Sequence, residues 1–323
     1  MGILRKPVSV IAAGILACWV VQEFATPWIN PYHLQILNTI GIAAVMAVSL
    51  NLITGHTGQF SLGHAGFMAL GAYASAAFTV HLNPDALGLV PILPDWAWRP
   101  LFFVTALAAG GATAALAGLI VGIPTLRLKG DYLAIATLGL GEIIRVIVLN
   151  LEFVGGARGF TGIPESSNFF WIFSALLVLT VLMARGVYSL KGLAFLAVRE
   201  DEVAARSVGI NTTRYKVLAF VLGSFWAGVG GGLFAHLNTY LHTNSFGFLK
   251  SVEYVVMVVL GGLGSITGSL VAAALLTLLP ELLRIASEWR MIFYALLLVV
   301  MMILWPRGLM GQRELRWIRR VKP

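Results

Sequence analysis

Between Asn51 and Ala76 a long apolar run is interrupted by Gly55, Gly58, Gly63, Gly66 and Gly71, interleaved with His56, Thr57, Gln59, Ser61 and His64. No other feature constrains the chain as much. In hydrocarbon every backbone N–H and C=O needs a partner inside the protein, so an irregular polar break is tolerated only where it is buried in protein or lines an aqueous path. A simple membrane anchor has no use for such a break. The pattern points to a chain that moves something across a membrane.

Composition supports the hydrocarbon premise. The 323 residues are 59% hydrophobic and only 11% charged, against about 25% charged in a soluble domain. The charges cluster between apolar runs long enough to cross about 30 Å of hydrocarbon. Runs near 8–22, 34–54, 65–82, 100–126, 131–150, 170–188, 217–241, 251–263, 267–284 and 291–305 predict ten crossings. The short runs beside Gly55–Gly66 and Gly261–Gly268 are the candidates for re-entrant segments, which brings the count towards eight. The expected fold is an all-α polytopic membrane protein of eight to ten helices with broken Gly-rich segments, forming one transmembrane domain over 1–323 with a loop at 189–216 and a basic tail at 306–323.

The net charge of +8 does not indicate nucleic acid, because the cations sit in short segments beside apolar spans, where they set orientation. They are dense at Arg5/Lys6, Arg127/Lys129, Arg185 to Lys216 and Arg307 to Lys322, and sparse at 83–99, 151–169 and 242–250. Ten spans with both termini inside put every dense group on the cytoplasmic face. Met1 to Glu23 resembles a signal peptide, but Val20-Val-Gln-Glu23 follows in place of a small-residue cleavage site, which favours a retained first span. The single cysteine, Cys18, excludes a disulfide framework or a Cys-rich metal site.

Gly261, Gly264 and Gly268 with Ser265 echo Gly55, Gly58 and Gly63 with Ser61, a faint internal repeat of the kind that sets broken helices around a central site. The candidate path residues are Thr57, Gln59, Ser61, Gly63, His64 and Gly66 in the first break and Gly262 and Gly264 in the second. For Gly63 the expected reasons are freedom to adopt positive φ and lack of bulk. Gly110, Ala114, Gly118 and Gly122 instead make a small-residue ladder suited to close helix packing. His56 and His64 have no acidic or cysteine neighbour, so no metal is expected there. Glu142 and Arg145 share a helix face and pair with each other.

In the 189–216 loop, Leu193 to Ile210 reads as one amphipathic helix, with Val198, Ala205 and Val208 on one side and Arg199, Glu202 and Arg206 on the other. Gly209 stops it, and Asn211 or Thr212 caps the helix that follows. A face mixing both charge signs with small residues suits docking into a protein cleft better than binding anionic lipid. No Gly-x-x-x-x-Gly-Lys-Ser/Thr occurs, so the chain has no Walker A nucleotide site of its own.

Two stretches carry a family resemblance: Asn51-Leu-Ile-Thr-Gly-His-Thr-Gly-Gln-Phe-Ser-Leu-Gly-His-Ala-Gly-Phe-Met-Ala-Leu-Gly-Ala-Tyr73, and Ala197-Val-Arg-Glu-Asp-Glu-Val-Ala-Ala-Arg-Ser-Val-Gly-Ile210. Extending through Val258 to Ser269, they resemble the LivM-type permeases of bacterial branched-chain amino-acid ABC importers. The resemblance implies a multi-pass inner-membrane permease, not an enzyme, which pairs with a LivH-type permease. It further implies two ABC ATPase subunits that hold ATP and magnesium, a periplasmic substrate-binding protein, and no cofactor on this chain. Arg199, Glu200, Asp201, Glu202, Ala204, Ala205 and Gly209 become the expected ATPase-coupling residues. Ala204, Ala205 and Gly209 match the Ala-Ala-x-x-x-Gly of the importer coupling motif, while Val203 separates Glu202 from Ala204. Urea and short-amide permeases share the resemblance. A secondary carrier or channel would lack the coupling loop, and an enzyme would need a catalytic constellation that is not evident.

Cysteines placed at Ser207 and Asn168 in a Cys18→Ala background should react with an impermeant thiol reagent from opposite sides of the membrane. Labelling from one side would exclude the ten-span topology.

Overall fold

The computed structural model describes residues 7–82, 94–125, 128, 130–286, 295–296, 299–301, 303–305, 308–311 and 314. Arg5, Lys6, the turn at Asn83 to Asp85, Arg127, Lys129, and most of the tenth expected span and of the basic tail lie outside the described residues. The elements within them are helical: α1 (Pro7–Phe24), α2 (Pro31–Asn51), α3 (His64–His81), α4 (Asp95–Thr125), α5 (Asp131–Asn150), α6 (Phe169–Val187), α7 (Leu193–Glu200), α8 (Glu202–Ser207), α9 (Thr212–Asn238), α10 (Phe248–Gly261) and α11 (Ile266–Leu282).

Six segments are long and apolar enough to cross a membrane: Ser9–Trp28, Pro31–His56, Ala97–Thr125, Asp131–Asn150, Phe169–Val187 and Thr212–Asn238. The chain is an all-α, multi-pass membrane protein. By length and apolarity alone the described residues supply six spans, below the eight to ten expected. The physical reason lies in the breaks, which leave α10 with 14 residues and α11 with 17, and place His64, Ser75, Thr79 and His81 in the 18 residues of α3.

The helices gather into two compact units. One comprises residues 1–59, 169–216 and 253–323. Its centre is α2, which starts where the Asn30 side chain accepts from the Tyr32 amide at 3.0 Å, with Pro31 in the first turn. From Gly41 onward α2 is wholly buried, and it packs against α6 and α11. A Cβ at Gly41 would lie 2.5 Å from Cγ2 of Ile172, so a glycine here sets how closely α6 approaches. The first helix, α1, lies on α6 and leaves Leu16, Trp19 and Phe24 exposed, as expected of a lipid-facing span.

The other unit comprises residues 60–168 and 217–252. Its core is α3 against α4 and the body of α9, held at small-residue distance. Cβ atoms added at Gly110 and Gly228 would fall 2.6 Å from the Gly71 and Gly110 carbonyl oxygens respectively. Further along the ladder, Ala114 meets Gly228 and Gly118 meets Ser224. The ladder is therefore a packing surface, as the sequence predicts. Across it His236 takes Thr79 Oγ1 at 3.0 Å and the Gly232 carbonyl at 2.8 Å, which keeps a polar ring satisfied among apolar neighbours. The Glu142–Arg145 pair forms at 2.7 Å. Phe160 and Leu241 exchange backbone hydrogen bonds of 2.8 and 3.0 Å, tying together the connections that follow α5 and α9.

Gly228→Leu should overpack the α3/α4/α9 contact and cost about 1–3 kcal/mol. Gly139→Leu, with nothing within 4 Å of a Cβ, should be tolerated. Thermal unfolding of the detergent-solubilised variants separates the two; equal losses would show that the ladder is not a tight contact.

Candidate functional site

The site begins where α2 fails to continue as an α-helix. After Asn51 the chain widens into a π-helical turn over Leu52–His56 and then leaves helical geometry until α3 starts at His64. Such turns leave backbone groups without their regular partners and recur at functional positions. Here the groups are taken up locally and from afar. Thr57 Oγ1 donates to the Ile53 carbonyl at 2.7 Å, the Gln59 amide donates to the same carbonyl at 3.1 Å, and Gln59 Nε2 reaches Thr57 Oγ1 at 2.8 Å. Gly58 makes the turn at φ +69°.

Asn51 ties the first break to the second. Its side chain is completely buried, and Nδ2 donates to the Ser265 carbonyl while Oδ1 accepts from the Gly264 amide, each at 2.9 Å. Both hands of one amide are thus spent on the backbone of the second glycine break, 213 and 214 residues away. In that break Gly262 and Gly264 take φ of +111° and +85°, values that a side chain rarely permits. Ser265 then caps α11 by accepting from the Gly268 amide at 3.0 Å.

The same break is closed from the opposite direction by a segment the sequence reading passed over. Leu309 and Met310 donate their amides to the carbonyls of Leu260 and Gly261, two acceptors that the end of α10 leaves open. Glu314 then caps α11: Oε1 accepts from the Ile266 amide at 2.6 Å, and Oε2 accepts from the Thr267 amide at 3.1 Å and the Thr267 hydroxyl at 2.8 Å. A carboxylate at a helix N-terminus meets both free N–H groups and the positive end of the dipole. Its one sequence signal was an acid standing among the cations of Arg307 to Lys322.

The expected path residues divide between the two units. In the first, Thr57 and Gln59 are buried within the first break, while Gly262 and Gly264 form the second. Among the described residues Thr54 Oγ1, His56 Nε2 and Gln59 Oε1 are buried with no hydrogen-bond partner. In the second unit Ser61 is fully buried with its hydroxyl likewise unpartnered, and His64 is fully buried at the start of α3. Thr137 Oγ1 accepts from the Leu62 amide at 3.0 Å, and Ser251 Oγ accepts from the Ala65 amide at 3.1 Å. Gly63 corrects the expectation made for it: its φ is −94°, so conformational freedom is not the reason for glycine. Space is, because a Cβ would strike the Thr137 carbonyl, and at Gly66 it would come within 2.8 Å of the Gly141 Cα.

The 189–216 loop also departs from its expected form. It holds two helices, since Asp201 leaves helical geometry (φ −154°, ψ 112°) and uses its carboxylate to cap α8 through the amides of Val203 and Ala204 at 2.8 and 3.0 Å. The kink separates the apolar side proposed for a single helix. Val198 and Ala205 are buried, but Val208 is 75% exposed, as is Val203 at 72%. Ala204, Glu200 and Gly209 are exposed too. Gly209 ends α8 at φ +87°, and Asn211 caps α9 by accepting from the Arg214 amide at 3.0 Å, both as the sequence suggests.

Glu202 organises the loop. Its carboxylate takes Lys216 Nζ at 2.7 Å, the Arg206 guanidinium, and the Thr212 hydroxyl at 3.2 Å. Burial pushes the carboxyl pKa up, but Lys216, Arg206 and Thr212 outweigh it and hold it below the ordinary value. The preceding residue of interest, Arg199, sends Nη1 to the Gly55 carbonyl at 2.9 Å.

Broken membrane helices tied through buried polar groups, with an ordered polar loop reaching them, describe the permease class of transport protein. The chain belongs to the family of the branched-chain amino acid transport system permease component, whose model matches residues 32–305. It is 35% identical over 304 residues to the LivM high-affinity branched-chain amino acid permeases of Salmonella typhimurium and Escherichia coli, covering 83% of this chain and 68% of theirs. To LivH of Escherichia coli it is 26% identical over 298 residues, covering 84% of this chain and 92% of LivH. No solved structure matches the chain significantly.

Asn51→Leu removes both bonds to the second break and leaves the half-buried Gly264 amide without its partner, while the Ser265 carbonyl keeps the amide and hydroxyl of Ser269, so a stability loss of about 1–3 kcal/mol is expected in thermal or denaturant unfolding. An unchanged midpoint would exclude the tie as a structural element. A carboxyl held below its ordinary value in the fold contributes stability that is present above the unfolded value of about 4.3 and is lost as pH falls through the folded value. Glu202→Gln should therefore flatten the fall in melting temperature below about pH 5. A profile identical to wild type would show that Glu202 is not the group responsible.

Proposed function

We propose that this chain is one half of a heterodimeric importer pore in the inner membrane, carrying branched-chain amino acids, with a LivH-type permease as the other half. Two ABC ATPase subunits bind on the cytoplasmic side and supply ATP hydrolysis, and a periplasmic binding protein delivers substrate. The chain performs no chemistry. It supplies conformations whose relative stability its partners bias. In this reading α3, α10, α11 and the apolar run near 291–305 join the six longer helices as spanning or re-entrant elements of one permease domain, giving eight to ten crossings in all with both termini cytoplasmic.

The observation that carries the reading is the exposed rim of α8. Val203 and Val208 stand out from a short helix whose frame is fixed by Asp201 and by Glu202 with Lys216. Apolar side chains held out by a rigid, salt-bridged loop fit a shallow protein cleft. Ala205 belongs to the inner packing of the loop and is not part of that rim. Thr57, Gln59, Ser61, Gly63, His64, Gly66, Gly262 and Gly264 are proposed to border the path. The buried, unpartnered polar atoms of Thr54, His56, Gln59 and Ser61 support this, since they fall together in one short segment of the first break.

Losing one buried valine contact is worth about 1.5–3 kcal/mol, and an added charge costs more. Val203→Asp and Val208→Asp should each weaken copurification of the ATPase subunits tenfold or more, with melting of the isolated chain unchanged. Wild-type ATPase recovery in both variants would overturn the docking assignment.

A further inference from the structure

Arg199 occupies a position that neither loop docking nor path lining accounts for. It lies in the last turn of α7, one residue before Glu200 and two before the Asp201 kink, and its side chain is 21% exposed. The guanidinium turns away from the loop's exposed rim. Its Nη1 donates to the carbonyl of Gly55, the residue next to last in the π-helical turn. A Cβ built on Gly264 would lie 2.6 Å from the same Nη1 and 3.2 Å from the Gly55 oxygen. A Cβ on Gly58 would come 3.5 Å from the Arg199 Cα and Cγ. One side chain of the loop thus bonds Gly55 of the first break and lies close enough to Gly58 and to Gly264 of the second break that a side chain at either would meet it. The exposed Glu200 carboxylate lies 3.6 Å from Nε.

We propose that Arg199 is the positioning residue through which the loop acts on both glycine breaks, a reading that rests on the importer function above. The bond to Gly55 is charge-assisted and so among the stronger hydrogen bonds available to a backbone carbonyl. Its origin is firmly held, because Ala194, Phe195 and Val198 bury one side of α7 and Phe195 packs edge-on against Tyr215 at 5.4 Å. Its target is soft, because a π-helical turn followed by Gly58 can change its path at low energetic cost. Asp201 separates α7 from α8, so a push on α8 reaches α7 as a rotation about one extended residue. Displacement of α7 then draws on the Gly55 carbonyl and on the edge of Gly264 together, and the Asn51 amide keeps the two breaks moving as one.

Two measurements test this. In the isolated chain, amide hydrogen exchange over residues 53–59 should rise tenfold or more in Arg199→Ala and by much less in Arg199→Lys, which keeps a charged donor group. In the assembled importer, reconstituted in vesicles with its ATPase and binding-protein partners, Arg199→Ala should lower amino acid taken up per ATP hydrolysed at least tenfold in complexes that still copurify intact, with Arg199→Lys intermediate. Where Arg199→Ala fails to yield intact protein, Arg199→Lys and Arg199→Gln carry the comparison. Wild-type exchange over 53–59, or a wild-type transport-to-hydrolysis ratio despite faster exchange, overturns the proposal. The exchange arm needs no partner subunit, so failure of ATPase docking would be seen separately, in the Val203 and Val208 variants.

Discussion

The side-chain amide of Asn51 is the interaction on which the rest of the first unit depends. A helix that ends within an apolar protein exposes carbonyls and amides that water cannot reach, and each costs free energy unless something pairs with it. An unbroken helix settles this alone. Two broken ones cannot, and here one Asn donates to Ser265 and accepts from Gly264, so the end of α2 and the start of α11 become mutually required. Other groups converge on the same junction: Arg199 bonds the Gly55 carbonyl, and Glu314 bonds the Ile266 and Thr267 amides.

Glycine serves two separate purposes in this chain. At Gly58, Gly262 and Gly264 it permits a left-handed backbone, and the chain turns there. At Gly71, Gly110 and Gly228 the backbone is ordinary helix, and glycine is needed only because another helix passes within contact distance. Gly63 looks in sequence like the first kind and belongs to the second. The distinction matters for substitutions, since alanine strains the first group through φ and the second through collision.

What the sequence made legible was local. Apolar runs gave the helices, the Gly110 ladder gave a packing face, Glu142 and Arg145 gave a pair, and Gly209 and Asn211 gave a stop and a cap, because each depends on residues within about one helical turn. The longest interactions left no such trace. Asn51 sits in an apolar stretch and reads as helix body, and Glu314 reads as a stray acid in a basic tail. The single helix expected through Leu193 to Ile210 failed at Asp201, whose side chain prefers to cap α8 rather than continue α7. That preference is visible in the residue type, but the amphipathic pattern across it argued the other way. Length and apolarity alone yield six spans among the described residues for a related reason, since the breaks divide apolar runs into helices too short to qualify.

The cap supplied by Glu314 has a consequence for how the protein is made. Helix α11 begins at Ile266, and the carboxylate that completes its first turn lies 48 residues further along the chain. During synthesis α11 must therefore leave the ribosome with its leading amides open, held only by Ser265 and by whatever the insertion machinery offers. The second break cannot reach its final geometry until residue 314 has emerged and folded back. The first turn of α11 is thus among the last parts of this unit to set, and a nascent chain interrupted before Glu314 would carry both breaks and the Asn51 tie without the carboxylate that caps α11.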